Sequence, residues 1–190
     1  MLPSIGTMQP KPNTIQKNIF LTGAPSVGKT TVIKKVIQLL RVPSNGFYTE
    51  EELMEGKRVG FLMRTLDGKK AYLAHQDIHS DFHIRRYGAS IENIETIAVS
   101  SIAPIENHVI VIDEIGKMEC FSQKFVEASA KALDAPNIVI GTIALGGTAY
   151  IQQVKARDDI QIFEVTPDNR DALPQLIVQA VHNMTENVLF

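Results

Sequence analysis

"NIFLTGAPSVGKTTVIKKVIQLL", residues 18–40, decides the fold. Its first five residues are an apolar, β-leaning run that stops at Gly23. Its last twelve repeat apolar residues at helical spacing: Val32, Ile33, Val36, Ile37 and Leu40. Between them lies "GAPSVGKT", residues 23–30, a G-x-x-x-x-G-K-T loop joining a strand to a helix. Gly23 and Gly28 let the backbone curl so that successive N–H groups face an anion. The start of the helix adds partial positive charge. Lys29 is placed to reach β- and γ-phosphates, and the Thr30 hydroxyl to ligate Mg²⁺. The stretch reads as a nucleoside-triphosphate loop.

Such a loop needs an acid at the end of a neighbouring strand, and "HVIVIDEIGKMECF", residues 108–121, supplies one. An apolar run buried on both faces ends in Asp113 and Glu114. Asp113 is expected to hold the Mg²⁺ shell as a Walker B aspartate does. Glu114, one residue on, is placed to orient and deprotonate an attacking water. Adjacent carboxylates repel unless a cation separates their roles, and Mg²⁺ would do that. "DEIG" also matches a D-x-x-G switch, but no N-K-x-D guanine reader follows. Lys117 reads equally as a charge near the transferring phosphoryl group or as a solvated lysine.

From residue 108 onward apolar strands alternate with helices. "HVIVID", "NIVIGTI" and "IQIFEV" read as buried strands, and residues 121–134, 148–157 and 169–184 as helices, Asp168 being a candidate cap for the last. Continuous apolar strands with intervening helices imply a mostly parallel sheet covered on both faces, an α/β three-layer fold. Between residues 46 and 75, "GFYTEEEL", "KRVGFLMRTL" and "KKAYLAH" are separated by the turn signals "MEG" and "DG", which predicts an antiparallel β insertion after the first helix. Periodicity does not decide between helix and strand for "ETIAVSSIAPI" within the stretch 76–108.

The 190 residues suggest one domain, residues 18–190, after a flexible leader over 1–17. A net charge of -2 gives no basic excess pointing to nucleic acid, and no protein partner is indicated. One cysteine, Cys120, excludes an internal disulfide and suits a reducing compartment. No apolar run reaches the roughly 20 residues a membrane span needs, and the N-terminus lacks the apolar centre of a signal peptide. A cytoplasmic monomer is expected.

Together "GAPSVGKTT", "GFYTEE", "RVGF", "TLDG", "IDEIGKME", "TI", "FEVT" and "NRD" resemble the THEP-type, or cancer-related, nucleoside-triphosphatases over about residues 18–178. The resemblance implies a P-loop fold of the additional-strand type. It implies Mg²⁺-dependent hydrolysis of nucleoside triphosphates (ATP, GTP, CTP, UTP) to diphosphate and phosphate, with loose base selectivity. The family's nucleotide-binding loop falls on Gly23, Ala24, Pro25, Ser26, Val27, Gly28, Lys29, Thr30 and Thr31, and its acidic motif on Asp113, Glu114 and Lys117. The glycine-rich "ALGGTA", residues 144–149, matches no family motif.

Smaller features have plainer readings. Arg85, Arg86, Arg157 and Arg170 are candidates for a further cation at the γ-phosphate, though surface positions suit each better. Asn169 suits a cap, "EEE" at 50–52 a solvated face, Cys120 a small buried hydrophobe, and Phe47 and Tyr48 the packed sheet. His75, His79 and His83 are spaced as one helical face would need, but follow a strand, so loop histidines are expected rather than a zinc site. Two rivals to hydrolysis remain: a small-molecule or nucleic-acid kinase on the same loop, and a nucleotide-gated binding protein.

Overall fold

The computed structural model describes residues 16–186, so the expected leader lies almost wholly outside the described residues. Strands β1 (Asn18–Thr22), β2 (Ser44–Met54), β3 (Lys57–Thr65), β4 (Lys70–His75), β5 (His83–Ile84), β6 (Tyr87–Ala89), β7 (Val109–Ile115), β8 (Val139–Ile143) and β9 (Ile160–Glu164) form one sheet. Their order is β5-β6-β4-β3-β2-β7-β8-β1-β9. From β2 to β9 neighbours run parallel; from β2 outward to β5 they run antiparallel. Strand β8 lies between β1 and β7, the additional strand that separates the loop-bearing strand from the acid-bearing one.

The pleat sorts the core into two layers. On β1, Ile19 and Leu21 face one side and Phe20 the other; on β7, Val109 and Val111 oppose Ile110 and Ile112. Helices α1 (Lys29–Leu39) and α5 (Leu173–Glu186) cover the first face, through Val32, Ile33, Val36, Leu173, Ile177 and Val181. The other face is covered by the helical stretch 91–101 (α2), by α3 (Gln123–Asp134) and by α4 (Ala149–Lys155). Phe47 and Phe125 meet there edge to face, ring centres 6.2 Å apart, both fully buried. Each such side chain contributes about 1.5–3 kcal/mol by leaving water.

Five expectations are met, corrected or resolved. The expected antiparallel strands after the first helix are present and continue the parallel sheet. Residues Ser44–Phe47 of β2 pair parallel with β7, and Phe47–Met54 pair antiparallel with β3, so one long strand joins both halves. Gly46 makes that junction possible: its φ is 119°, and a β-carbon there would stand 2.0 Å from the Val111 carbonyl oxygen. The antiparallel pairing also runs beyond residue 75, to Ala89. The ambiguous 76–108 stretch resolves as the β5–β6 hairpin and then α2, which is capped by the Ser90 hydroxyl accepting from the Asn93 N–H. Ile94, Ala98 and Ile102 fall every four residues on its buried face, with a π-helical turn over Ile94–Ala98. Strand β9 is only partly buried because it is a sheet edge with a neighbour on one side only. The last helix starts at Leu173 rather than 169, since residues 167–172 form turns and Pro174 then sits in its first turn. No helix among the described residues is long and apolar enough to cross a membrane.

Candidate active site

Three strands of the parallel half end at one place. After β1 the chain turns at Gly23, where a β-carbon would lie 2.8 Å from the Val165 carbonyl oxygen. Ser26 adopts φ 59° and Gly28 φ 109°, so the loop curls back on itself before α1 begins at Lys29. Ala24, Pro25 and Ser26 are exposed and Val27, Gly28 and Thr30 half-buried, leaving the loop open to a ligand. The Lys29 ammonium folds over it and donates to the carbonyls of Gly23 (3.0 Å) and Ala24 (3.2 Å). Thr31 follows on the exposed side of α1.

Opposite, at the end of β7, the Asp113 side chain is 1% exposed. It accepts from the Thr142 hydroxyl on β8 at 2.5 Å and from the Thr49 N–H on β2 at 3.4 Å. Burial raises its pKa above the ordinary value, against hydrogen bonds from Thr142 and Thr30, the Thr49 N–H, and the Lys29 charge. The Thr30 hydroxyl and Asp113 carboxylate therefore face each other across the end of β8. Glu114 is also raised, first by burial and then by the Asp113 charge, with Lys29 opposing.

A third carboxylate completes the group. Glu119, 2% exposed, sits in the 3₁₀ turn Glu119–Phe121 and accepts from its own N–H and that of Gly116. Its pKa stands well above the usual value, through burial and then the Glu114 charge. A β-carbon at Gly116 would meet Glu114 Oε1 at 2.6 Å and Glu119 Oε2 at 2.7 Å, so the glycine is the space the two carboxylates share. Buried Asp113 and half-buried Glu114 feel the Lys29 charge, and buried Glu119 stands behind Glu114. That surplus of negative charge, lined with hard oxygen donors from Asp113 and Thr30, fits a divalent cation.

The remaining candidates divide. Lys117 is exposed, and its stem lies along the unmapped glycine loop, with Cγ 3.3 Å from where a β-carbon of Gly147 would stand. Arg170 reaches the phosphate loop and donates to the Val27 carbonyl at 3.4 Å. Arg157 is bound instead to Asp134 and Asp159, each at 2.8 Å, beside the start of β1 and so at the far end of the strand from the loop. Arg86 holds the Arg58 carbonyl and the Tyr87 hydroxyl on the distal hairpin, and Arg85 lies in the turn of that hairpin. His75 ends β4, His79 lies in a loop and His83 begins β5, so they share no helical face. Asn169 caps the turn after β9 through the Thr166 N–H and the Glu164 carbonyl. Glu50 and Glu51 are not merely solvated: Glu50 holds Lys34 and Arg64, and Glu51 holds Arg58. Cys120 is half-buried, its thiol pushed up to about 12 by burial.

Sequence reasoning missed Thr142, Thr49 and Glu119. Thr142 lies in the quoted "TI" and Glu119 in "IDEIGKME", but nothing in their spacing shows that they meet Asp113 and Glu114.

Comparison with known proteins shows the family. A family model described as NTPase matches residues 18–178. The nucleoside-triphosphatase THEP1 of Thermotoga sp. (strain RQ2) is 43% identical over 157 residues, 82% of this chain and 90% of the relative. The human cancer-related nucleoside-triphosphatase is 35% identical, over 88% of this chain and 97% of the relative. Among solved structures, the crystal structure of THEP1 from Aquifex aeolicus superposes with TM-score 0.79 at 32% identity, covering 86% of this chain and 98% of that one. The chain belongs to this NTPase family, with the THEP1 and cancer-related nucleoside-triphosphatases as its relatives.

Proposed function

We propose that the chain is a Mg²⁺-dependent nucleoside-triphosphatase, hydrolysing ATP, GTP, CTP and UTP to diphosphate and phosphate with loose base selectivity, as a cytoplasmic monomer. The observation that carries this reading is the convergence of Lys29 and Thr30 with the buried Asp113 and the half-buried Glu114 across the end of β8.

The backbone N–H groups of residues 24–30 cradle the phosphates, and α1 adds its positive end. Lys29 exchanges the Gly23 and Ala24 carbonyls for phosphate oxygens. Thr30 and Asp113 are the residues that would hold Mg²⁺, with Thr142 and the Thr49 N–H fixing the Asp113 carboxylate. Bound there, the ion would neutralise charge on the β- and γ-oxygens. Glu114 takes a proton from water as the water oxygen forms a bond to the γ-phosphorus. The bond from that phosphorus to the β–γ bridging oxygen breaks, and the diphosphate leaves with the electron pair. Its raised pKa suits Glu114 to this role, because a base works best when its pKa lies near the working pH. Lys117, whose stem lies along the Gly147 loop, adds positive charge at the rim.

The test is phosphate release from the four nucleotides with Mg²⁺ and no added acceptor, for wild type and Glu114→Gln. Release from all four, lost in the variant, is the expected result. Tight nucleotide binding without release from the wild type would overturn hydrolysis in favour of a kinase or a nucleotide-gated binding protein.

A further inference from the structure

A cavity of 790 Å³ lies between the β5–β6 hairpin, the loop before it and the start of α2, and shares no residue with the phosphate loop or with β7. The loop is fixed against the sheet. A β-carbon on Gly88 would stand 1.9 Å from the Ile78 carbonyl oxygen, the Gln76 N–H donates to the Val59 carbonyl at 2.9 Å, and the Ala89 N–H to the Phe82 carbonyl at 2.8 Å. The lining holds cations that the chain does not neutralise. Arg86 donates to the Arg58 carbonyl at 2.5 Å and the Tyr87 hydroxyl at 3.1 Å, neutral groups that fix its place and leave its charge. Arg85 stands beside it in the two-residue turn, at φ 55°, a conformation that Gly, Asn or Asp usually supplies there. Among the described residues the Arg85, His79 and His83 side chains have no hydrogen-bonding or ionic partner, and Asp81, the one carboxylate in the lining, pairs with neither arginine. Arg58, Arg64 and Arg157, by contrast, each hold a carboxylate. Phe82 forms the apolar side. Its ring is 45% exposed and leans on that of Phe121, centres 5.5 Å apart, at the end of the turn that carries Glu119.

We propose that this cavity is a second ligand site, for a small phosphate monoester bearing a flat ring, separate from the nucleotide held by the phosphate loop. Guanidinium groups match phosphate oxygens with paired N–H donors, and two stand side by side here. The His79 and His83 imidazoles can each add a ring N–H. A half-open aromatic face beside a cationic cluster suits a molecule with one flat apolar part and one anionic part. The volume is that of a pocket for one small organic ligand. With a net charge of -2 over the whole chain, the cation is local, which favours a compact anion over a long polyanion.

The probe is phenyl phosphate, with inorganic phosphate and phenol as its two halves, titrated by calorimetry into the full chain saturated with ADP and Mg²⁺. ADP keeps the phosphate loop occupied. The wild type is expected to bind one phenyl phosphate per chain, and inorganic phosphate more weakly. Arg85→Gln should weaken both about tenfold, the size of one lost charge-assisted contact. Phe82→Ala should bring phenyl phosphate down to the level of inorganic phosphate and leave inorganic phosphate unchanged. Both side chains are exposed, so both variants should keep the melting temperature and the ADP affinity of the wild type. No binding of phenyl phosphate to the ADP-loaded chain at millimolar concentration would overturn the proposal, and so would binding that neither substitution weakens. Binding seen only without ADP, and abolished by Lys29→Ala, would assign the probe to the phosphate loop and overturn the second site while that loop's reading stands. Failure of ADP itself to bind would count against the phosphate-loop reading instead, and the titration without ADP would then test the cavity by the same two variants.

Discussion

Strand β7 carries Asp113 and Glu114 into the middle of the parallel strands, while the β2–β3 hairpin carries Glu50 and Glu51 over the antiparallel ones. The residue types are the same and the environments opposite. Burial raises Asp113, Glu114 and Glu119. Glu50 is lowered, first by its hydrogen bond from Lys34, which stands 2.6 Å away, with Arg64 adding to it. The antiparallel half neutralises Glu50 and Glu51 with the chain's own cations. The parallel half sets Asp113 and Glu114 near one lysine, Lys29, with Glu119 behind them, and leaves the balance to a ligand. Charge that the protein does not itself satisfy marks where chemistry is done.

The widest break in this comparison is kinetic. Glu114→Gln should lower kcat by about 10²–10⁴ while nucleotide binding persists, as read by phosphate release and titration calorimetry. Loss of binding with kcat unchanged would mean that Glu114 serves affinity instead. Next is the junction of the halves. Gly46→Ala puts a β-carbon 2.0 Å from the Val111 carbonyl at φ 119°, and should cost about 3 kcal/mol or more in urea unfolding. A loss below about 1 kcal/mol would show that β2 and β7 separate easily.

The halves should also differ in sign. Glu119 is raised, so it binds its proton more tightly in the folded chain. Its contribution to stability is full at low pH and fades as pH climbs from 4.5 through its raised value. Glu119→Gln should therefore gain on the wild type over that climb, reaching about 2–4 °C in metal-free melting at neutral pH, which in a chain of this size is roughly 1 kcal/mol. Glu50 is lowered, so its contribution is present above 4.5 and lost as pH falls through its depressed value. Glu50→Gln should lower the melting temperature at neutral pH and make no difference in acid. Matching signs in the two variants would end the contrast. Smallest is Glu51→Gln, which breaks an exposed pair with Arg58 and should change stability by no more than about 0.5 kcal/mol in chemical denaturation.

Much was legible in the chain alone, because it depends on local pattern. A strand, a glycine loop and a helix follow one another in 18–40, so the loop, Lys29 and Thr30 could be read from adjacent residues. The apolar runs of β7 and β8 announced strands covered on both faces, and the carboxylates closing β7 announced a site. Turn residues placed β2, β3 and β4, since a turn is decided by the few residues that make it. Periodicity left α2 open, because its buried face of Ile94, Ala98 and Ile102 has meaning only against the sheet it covers. Only the tertiary structure set β8 between β1 and β7, brought Thr142 to Asp113 across 29 residues of chain, and folded Glu119 back on Glu114. It alone drew Arg170, 143 residues from Val27, to the rim of the phosphate loop. Spacing along a chain encodes dihedrals and faces, which are local. The field inside a site comes from side chains that meet through strand order, and strand order is settled by how the whole chain buries its apolar surface.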